Sequence, residues 1–341
     1  MAEKRTEIGQ LGEFGLINHL TKSFTTQNKE TILGVGDDAA IASFQDQVLI
    51  STDLLVEGIH FDLSYTPLKH LGYKSVAVNV SDIAAMNGTP TQILVSLALS
   101  NRISVEALEE LYEGIQLACE NYKVDLIGGD TTSSLSGLVI SVTVLGKAKP
   151  ENIVKRTGAK VGDLVYVTGD LGAAFVGLQL LEREKEVYLS NAEIQPELEN
   201  KNYIIQRLLK PEARTDVIYV MADFGLKPTS MMDISDGLAS ELMHMSKNSG
   251  VGFEIYDEYL PIDEQTYHSA LEFNLDPTVC ALNGGEDYEL LMTFDAQDRK
   301  KLDQIPDLTQ IGEVVSADKG LILVTKGGNR LPIKAQGWVH F

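Results

Sequence analysis

The chain has 341 residues, 44% of them hydrophobic and 23% charged, with 28 Lys and Arg against 49 Asp and Glu for a net charge of −21. This composition builds ordinary cores and excludes a disordered chain, and the length suggests two domains. So acidic a balance lacks the basic face that nucleic-acid binding requires, and no run approaches the eighteen apolar residues of a membrane span. Cys119 and Cys280 are too few for a disulfide framework or a zinc site. With an N-terminus that lacks a signal-peptide core, they point to a reducing, cytoplasmic setting.

In chain order, strands and helices alternate. Residues 48–52 (VLIST) read as a short strand ending beside Asp53, residues 74–86 as a helix of small and apolar residues, and residues 93–99 as a strand. Ser104 is a candidate N-cap for a helix carrying Leu108, Leu111, Ile115 and Ala118 at helical spacing. Residues 124–127 form a buried strand running into Gly128-Gly129-Asp130, and residues 138–145 a β-rich run. The basic, turn-rich stretch 147–162 is the expected boundary, giving domains at 1–147 and 148–341. Beyond it come a strand at 164–168, a glycine turn and a helix to about Leu181, then a charged, solvated excursion at 182–202. A strand end at 231–234 leads into a helix from Gly237 to about Lys247, closed by Ser249-Gly250. Residues 290–294 and 321–325 read as further strands.

Six segments carry the chemistry: Gly34–Ala40 (GVGDDAA), Ser51-Thr52-Asp53, Ser81–Met86 (SDIAAM), Gly128–Thr132 (GGDTT), Asp233–Gly237 (DISDG) and Gly284–Glu289 (GGEDYE). Taken singly, each is an ordinary turn or helix cap, since Asp beside Gly or Ser favours both. Together they set many carboxylates at strand ends. Two carboxylates about 4 Å apart repel by about 4 kcal/mol at an effective dielectric of 20, so such a cluster needs cations. Oxygen donors without His or Cys clusters select Mg²⁺, Mn²⁺ or Ca²⁺, and Mg²⁺ sites are commonly completed by substrate phosphates. The nucleotide motifs of other folds are missing: there is no G-x-x-x-x-G-K-[ST], and Asp223-Phe224-Gly225 lacks the companions that make it a kinase signature.

At these segments the chain resembles the thiamine-monophosphate kinase family, from Gly12–Ile17 (GEFGLI) to Gly337-Trp338, nearly end to end. STDLLVEGIHF (51–61), VNVSDIAAM (78–86), LIGGDTT (126–132), DISDGL (233–238) and GGEDYEL (284–290) separate this branch from the related aminoimidazole ribonucleotide and selenophosphate synthetases. A selenophosphate synthetase would also carry an early Cys, and the first here is Cys119. The resemblance implies an α+β fold: an N-terminal α/β domain whose strands form a barrel-like interface in a homodimer, a C-terminal α/β domain, and an active site in the cleft between them. It implies ATP as co-substrate, thiamine monophosphate as acceptor and several Mg²⁺ ions. Asp38, Ser51, Thr52, Asp53, Asp82, Asp130, Asp233 and Asp236 stand at the family's metal positions. Gly129, Asp130, Arg156 and Ser235 stand at its ATP positions, and His60, Glu286 and Trp338 at its substrate positions. Asp37 is expected to shape its turn. Asn87 stands where the family usually has Gly and is expected to alter the turn slightly. The rivals are another ATP-dependent enzyme of the superfamily and a non-catalytic metal-binding protein.

Overall fold

The structure is a computed structural model, and it describes residues 6–7, 10–36 and 39–335. The chain divides into two compact units, Met1–Ile83 with Gly88–Glu151, and Ala84–Asn87 with Asn152–Phe341.

The first unit opens with α1 (Gly12–Thr21) and a small antiparallel pair, β1 (Thr31–Leu33) and β2 (Ile41–Ala42). Its frame is a four-stranded sheet in the order β3-β6-β4-β5, made of β3 (Gln47–Val56), β4 (Thr89–Leu99), β5 (Asp125–Ser133) and β6 (Val139–Ala148). Helix α2 (Leu68–Ala85) joins β3 to β4, and α3 (Val105–Tyr122) makes the crossover that the parallel β4–β5 pair requires. Ser104 caps α3 as expected, accepting a hydrogen bond from Ala107 N–H at 3.3 Å. The two helices cross at glycines: a Cβ at Gly72 would lie 2.0 Å from Leu111 O, and one at Gly114 1.9 Å from Lys69 O.

Burial along β6 alternates residue by residue, the pattern of a sheet with one face packed and one open. On β3 the open face carries Val48, Ile50 and Leu54, which are 40, 68 and 53% exposed. The barrel expected from the resemblance is therefore not a feature of the single chain. Its four strands form an open sheet with β3 and β5 as edges.

The second unit is built on a seven-stranded sheet in the order β13-β12-β9-β11-β7-β10-β8, antiparallel except where β12 meets β9. The strands are β7 (Leu164–Thr168), β8 (Ser230–Asp233), β9 (Gly252–Tyr256), β10 (Leu290–Phe294), β11 (Leu308–Val315), β12 (Leu321–Val324) and β13 (Arg330–Pro332). Central strands β7 and β10 are buried on both faces, so alternate residues feed two cores. Val165, Val167 and Leu291 pack with α7 (Leu238–Ser249) and α9 (Pro277–Asn283). Leu164, Tyr166 and Met292 pack with α6 (Thr215–Asp223). Helices α4 (Ala173–Ser190), α5 (Asn202–Leu209) and α8 (Glu264–Glu272) share a third cluster, and a short α10 (Arg299–Leu302) follows β10.

Local signals held where the chain's own chemistry decides. Gly250 ends α7 in the left-handed conformation, and both cysteines are buried. Asn87 takes φ 58° and donates through Nδ2 to Asn152 O at 2.9 Å. Asp223-Phe224-Gly225 is merely the end of α6. The excursion at 182–202 is only partly solvated, because α4 runs on to Ser190. Glu184, 6% exposed, accepts from Glu197 N–H at 2.9 Å and from the Arg183 guanidinium.

Candidate active site

In the first unit the site is assembled where β3 lies against α2. The pleat sends Ser51 and Asp53 to the helix-covered face, and the 3.6-residue period of α2 brings Ser75, Asn79 and Asp82 onto one side. Asp53 N–H donates to Asn79 Oδ1 at 2.9 Å, while Asn79 Nδ2 donates to Ser75 O at 3.0 Å. Ser51 Oγ donates to Asp82 Oδ2 in a short hydrogen bond. Burial, and then the charge of Asp82, raise the Asp53 carboxyl from 3.8 to about 6. Thr52 follows the opposite pleat, its hydroxyl donating to Val142 O at 3.0 Å on the open face, so that hydroxyl is not part of the Asp53 side. His60 lies just beyond β3, its Nδ1 accepting from Val56 N–H at 3.1 Å.

Gly129 and Asp130 sit on the far edge strand. Gly129 is obligatory, since a Cβ there would fall 1.7 Å from Val95 O. Asp130 is exposed and accepts from Thr131 N–H at 2.8 Å. The register pairs Asp130 with Ser96, Ser96 with Ser141, and Ser141 with Leu54, which puts Asp130 on the open face. Three inter-strand spacings, about 14 Å, separate the two edges. Within one chain, Asp53 and Asp130 therefore stand on opposite edges and opposite faces of this sheet.

In the second unit, two motifs 50 residues apart are stitched together. Buried Asp233 ends β8 and pairs with Leu290 on β10. Beyond it, Ile234 N–H donates to Glu289 O at 2.8 Å, Glu286 N–H to Ser235 O at 2.7 Å, and Tyr288 N–H to Ile234 O at 2.9 Å. Asp233, Ser235, Asp236 and Glu286 thus belong to one corner of this unit. Glu241, in the first turn of α7, accepts from Asp236 N–H at 3.1 Å. Burial raises its carboxyl to about 7, against the pull of that hydrogen bond and of the Arg156 charge. Arg156 itself is exposed.

Asp37, Asp38 and Trp338 lie outside the described residues. Among the described residues no group of three or more His, Cys, Asp or Glu is placed to hold a metal ion by itself. What is brought together is the Ser51–Asp53–Asp82 set. It fits Mg²⁺ chemically, because every donor is a hard oxygen and a bound cation would offset the burial and the Asp82 charge that disfavour the ionised Asp53 carboxyl. Sequence reasoning missed Asn79, Glu241, Asp287 and Arg207. Asn79 and Glu241 stand at helical spacing from motif residues, but only contact reveals what they hold.

Residues 36–148 match the AIR synthase related protein, N-terminal domain, and residues 160–324 the AIR synthase related protein, C-terminal domain. The thiamine-monophosphate kinase of Aquifex aeolicus (strain VF5) is 37% identical over 336 residues, covering 98% of this chain and 99% of that protein. That of Bacillus subtilis (strain 168) is 36% identical over 341 residues, 97% and 100% of the two chains. A solved structure described as AaThiL complexed with AMPPCP and TMP superposes with a TM-score of 0.74 at 35% identity, over 98% of this chain and 99% of that one. With two domain matches in the expected order and relatives of this identity along nearly the whole length, the chain belongs to the thiamine-monophosphate kinases of the AIR synthase related family.

Proposed function

We propose that the chain transfers the γ-phosphoryl group of ATP directly to the phosphate of thiamine monophosphate, giving thiamine diphosphate and ADP, with Mg²⁺ as cofactor and as a homodimer in the cytoplasm. The observation that carries the reading is the Ser51–Asp53–Asp82 cluster in a chain of this family. The relative solved with AMPPCP and TMP supports the two substrates.

The acceptor is itself the nucleophile. A phosphate monoester has a second pKa of about 6 and is mostly a dianion at pH 7, so no general base is required. The difficulty is bringing two anions together. Bound Mg²⁺ supplies the charge neutralisation that this approach needs. Asp53 and Asp82 would hold it in the first unit, with Ser51 orienting the Asp82 carboxylate. Asp38 and Asp130, and Asp233 and Asp236 of the second unit, complete the set of metal positions. Thr52 is left its backbone oxygen as donor, since its hydroxyl is engaged on the other face. Gly129, whose lack of a side chain is required by the Val95 backbone, stands with Arg156 and Ser235 at the nucleotide positions. Glu286 and Trp338 favour the cationic thiazolium of the acceptor, by charge and by stacking, and His60 adds a further contact.

For the homodimer, the support is the open sheet face bearing Val48, Ile50 and Leu54, which two copies would bury against each other.

The test is product analysis with ATP, Mg²⁺ and thiamine monophosphate, against EDTA and free-thiamine controls. Equal amounts of ADP and thiamine diphosphate, formed only with metal and only from the monophosphate, are expected. ATP hydrolysis without thiamine diphosphate would reject the acceptor, and a phosphorylated enzyme trapped with ATP alone would reject direct transfer.

A further inference from the structure

The GGEDYE segment is used above only at Glu286, yet its other acids are buried. Its backbone is strained: Gly285, Glu286 and Tyr288 have φ of 73, 57 and 53°. Non-glycine residues keep such conformations only where their surroundings over-determine them. Asp287, between the two strained residues, is wholly buried and accepts from Gly172 N–H with both carboxylate oxygens, at 3.0 and 3.1 Å. Its carbonyl accepts from Arg207 Nη2 at 3.2 Å. Arg207 also pairs with Glu289 Oε1 at 2.9 Å, and Glu289 is fixed by Thr168 Oγ1 at 2.5 Å and Arg214 Nη1 at 2.8 Å. On the opposite side the loop is held by the Ser235 and Ile234 carbonyls, and a Cβ on Gly285 would meet Ser235 O at 2.7 Å.

We infer that Asp287 and Arg207 are positioning residues: anchored to the start of α4 and to α5, they clamp the Gly284–Tyr288 loop so that Glu286 is presented to the cationic ring of the acceptor. Asp287 cannot act by contact, being fully buried. It acts through the backbone, since turning its side chain inward fixes where its neighbour Glu286 points. The inference rests on the reading of Glu286 as the acceptor contact.

The test is a double-substitution cycle on the full-length enzyme, reading KM and kcat for thiamine monophosphate, with folding checked by circular dichroism. Glu286→Ala measures the contact itself. Asp287→Asn keeps one acceptor for Gly172 N–H but replaces the other carboxylate oxygen by an amide NH₂, so the two-oxygen grip on Gly172 is lost. It is expected to raise KM about tenfold with kcat changed less than about threefold, and to change KM less than about twofold when Glu286 is already Ala. A full rise in the Glu286→Ala background would overturn the positioning role and leave Glu286 as a contact. If Glu286→Ala alone leaves KM unaltered, the reading of Glu286 falls and the inference with it. Should Asp287→Asn not fold, Arg207→Lys, which keeps the charge but loses the planar fork, enters the same cycle under the same criteria.

Discussion

At the scale of single residues, the two carboxylates of the first unit carry the sharpest predictions. Asp82→Ala removes one of them and the acceptor of the Ser51 hydroxyl. It is expected to lower kcat by at least about 10³-fold while the circular dichroism spectrum is kept, as befits a charge-clamping residue. Near-normal turnover would take Asp82 out of the site. Asp53 makes a prediction about pH. Its carboxyl is raised to about 6 in the folded chain, against an ordinary value of 3.8, by burial and then by Asp82. Its protonated form is thus favoured by folding. Its contribution to stability without metal is complete below 3.8, falls as pH rises between 3.8 and about 6, and is gone above. Metal binding needs the ionised form, so the gain in Tm caused by Mg²⁺ is expected to be larger at pH 7.5 than at pH 5. Asp53→Asn should abolish most of that difference, and an unchanged one would assign it to other groups.

Among elements, the crossing of α2 and α3 is the point of least tolerance. Each helix places a glycine against the other's backbone, with added Cβ atoms 1.9 and 2.0 Å from carbonyl oxygens that cannot step aside. Because α2 carries Asn79 and Asp82, its seat against α3 also sets the proposed site. Gly114→Ala is expected to cost about 2–4 kcal/mol in urea unfolding, as overpacking of a closed contact does, and to lower turnover although it touches no ligand. A loss under about 0.5 kcal/mol would show that the helices can separate freely.

For the whole molecule, the open sheet face makes the proposed homodimer testable. Three large apolar side chains stand exposed on an edge strand, and in the proposed homodimer a second copy of the chain would supply a matching face. The mass in solution by sedimentation equilibrium is expected to be twice the 37.3 kDa of one chain. Ile50→Asp, which sets a charge on the most exposed of the three, should shift the equilibrium toward 37.3 kDa. A wild-type monomer would remove the dimer from the reading.

What the sequence by itself determined is what depends on near neighbours. The α3 cap at Ser104 and the α7 end at Gly250 follow from side chains acting within a few residues. The residue types of the acidic motifs are local information too, because oxygen donors beside glycines identify themselves in the sequence. Only the tertiary structure decided which acids meet. The pleat turned Thr52 away from Ser51 and Asp53, and the strand order set Asp53 and Asp130 on opposite edges of one sheet. Glu184 reads as surface charge and is buried on contacts that its own segment closes over it. Asp287 belongs to a motif the sequence singles out but without a role of its own, and Arg207, 80 residues away, carries no local signal; they become partners in a buried network because α5 and the approach to β10 come together. Periodicity and propensity act over one or two turns of chain. Register, strand order and long-range ion pairing are set by which surfaces bury each other, and no local pattern encodes that.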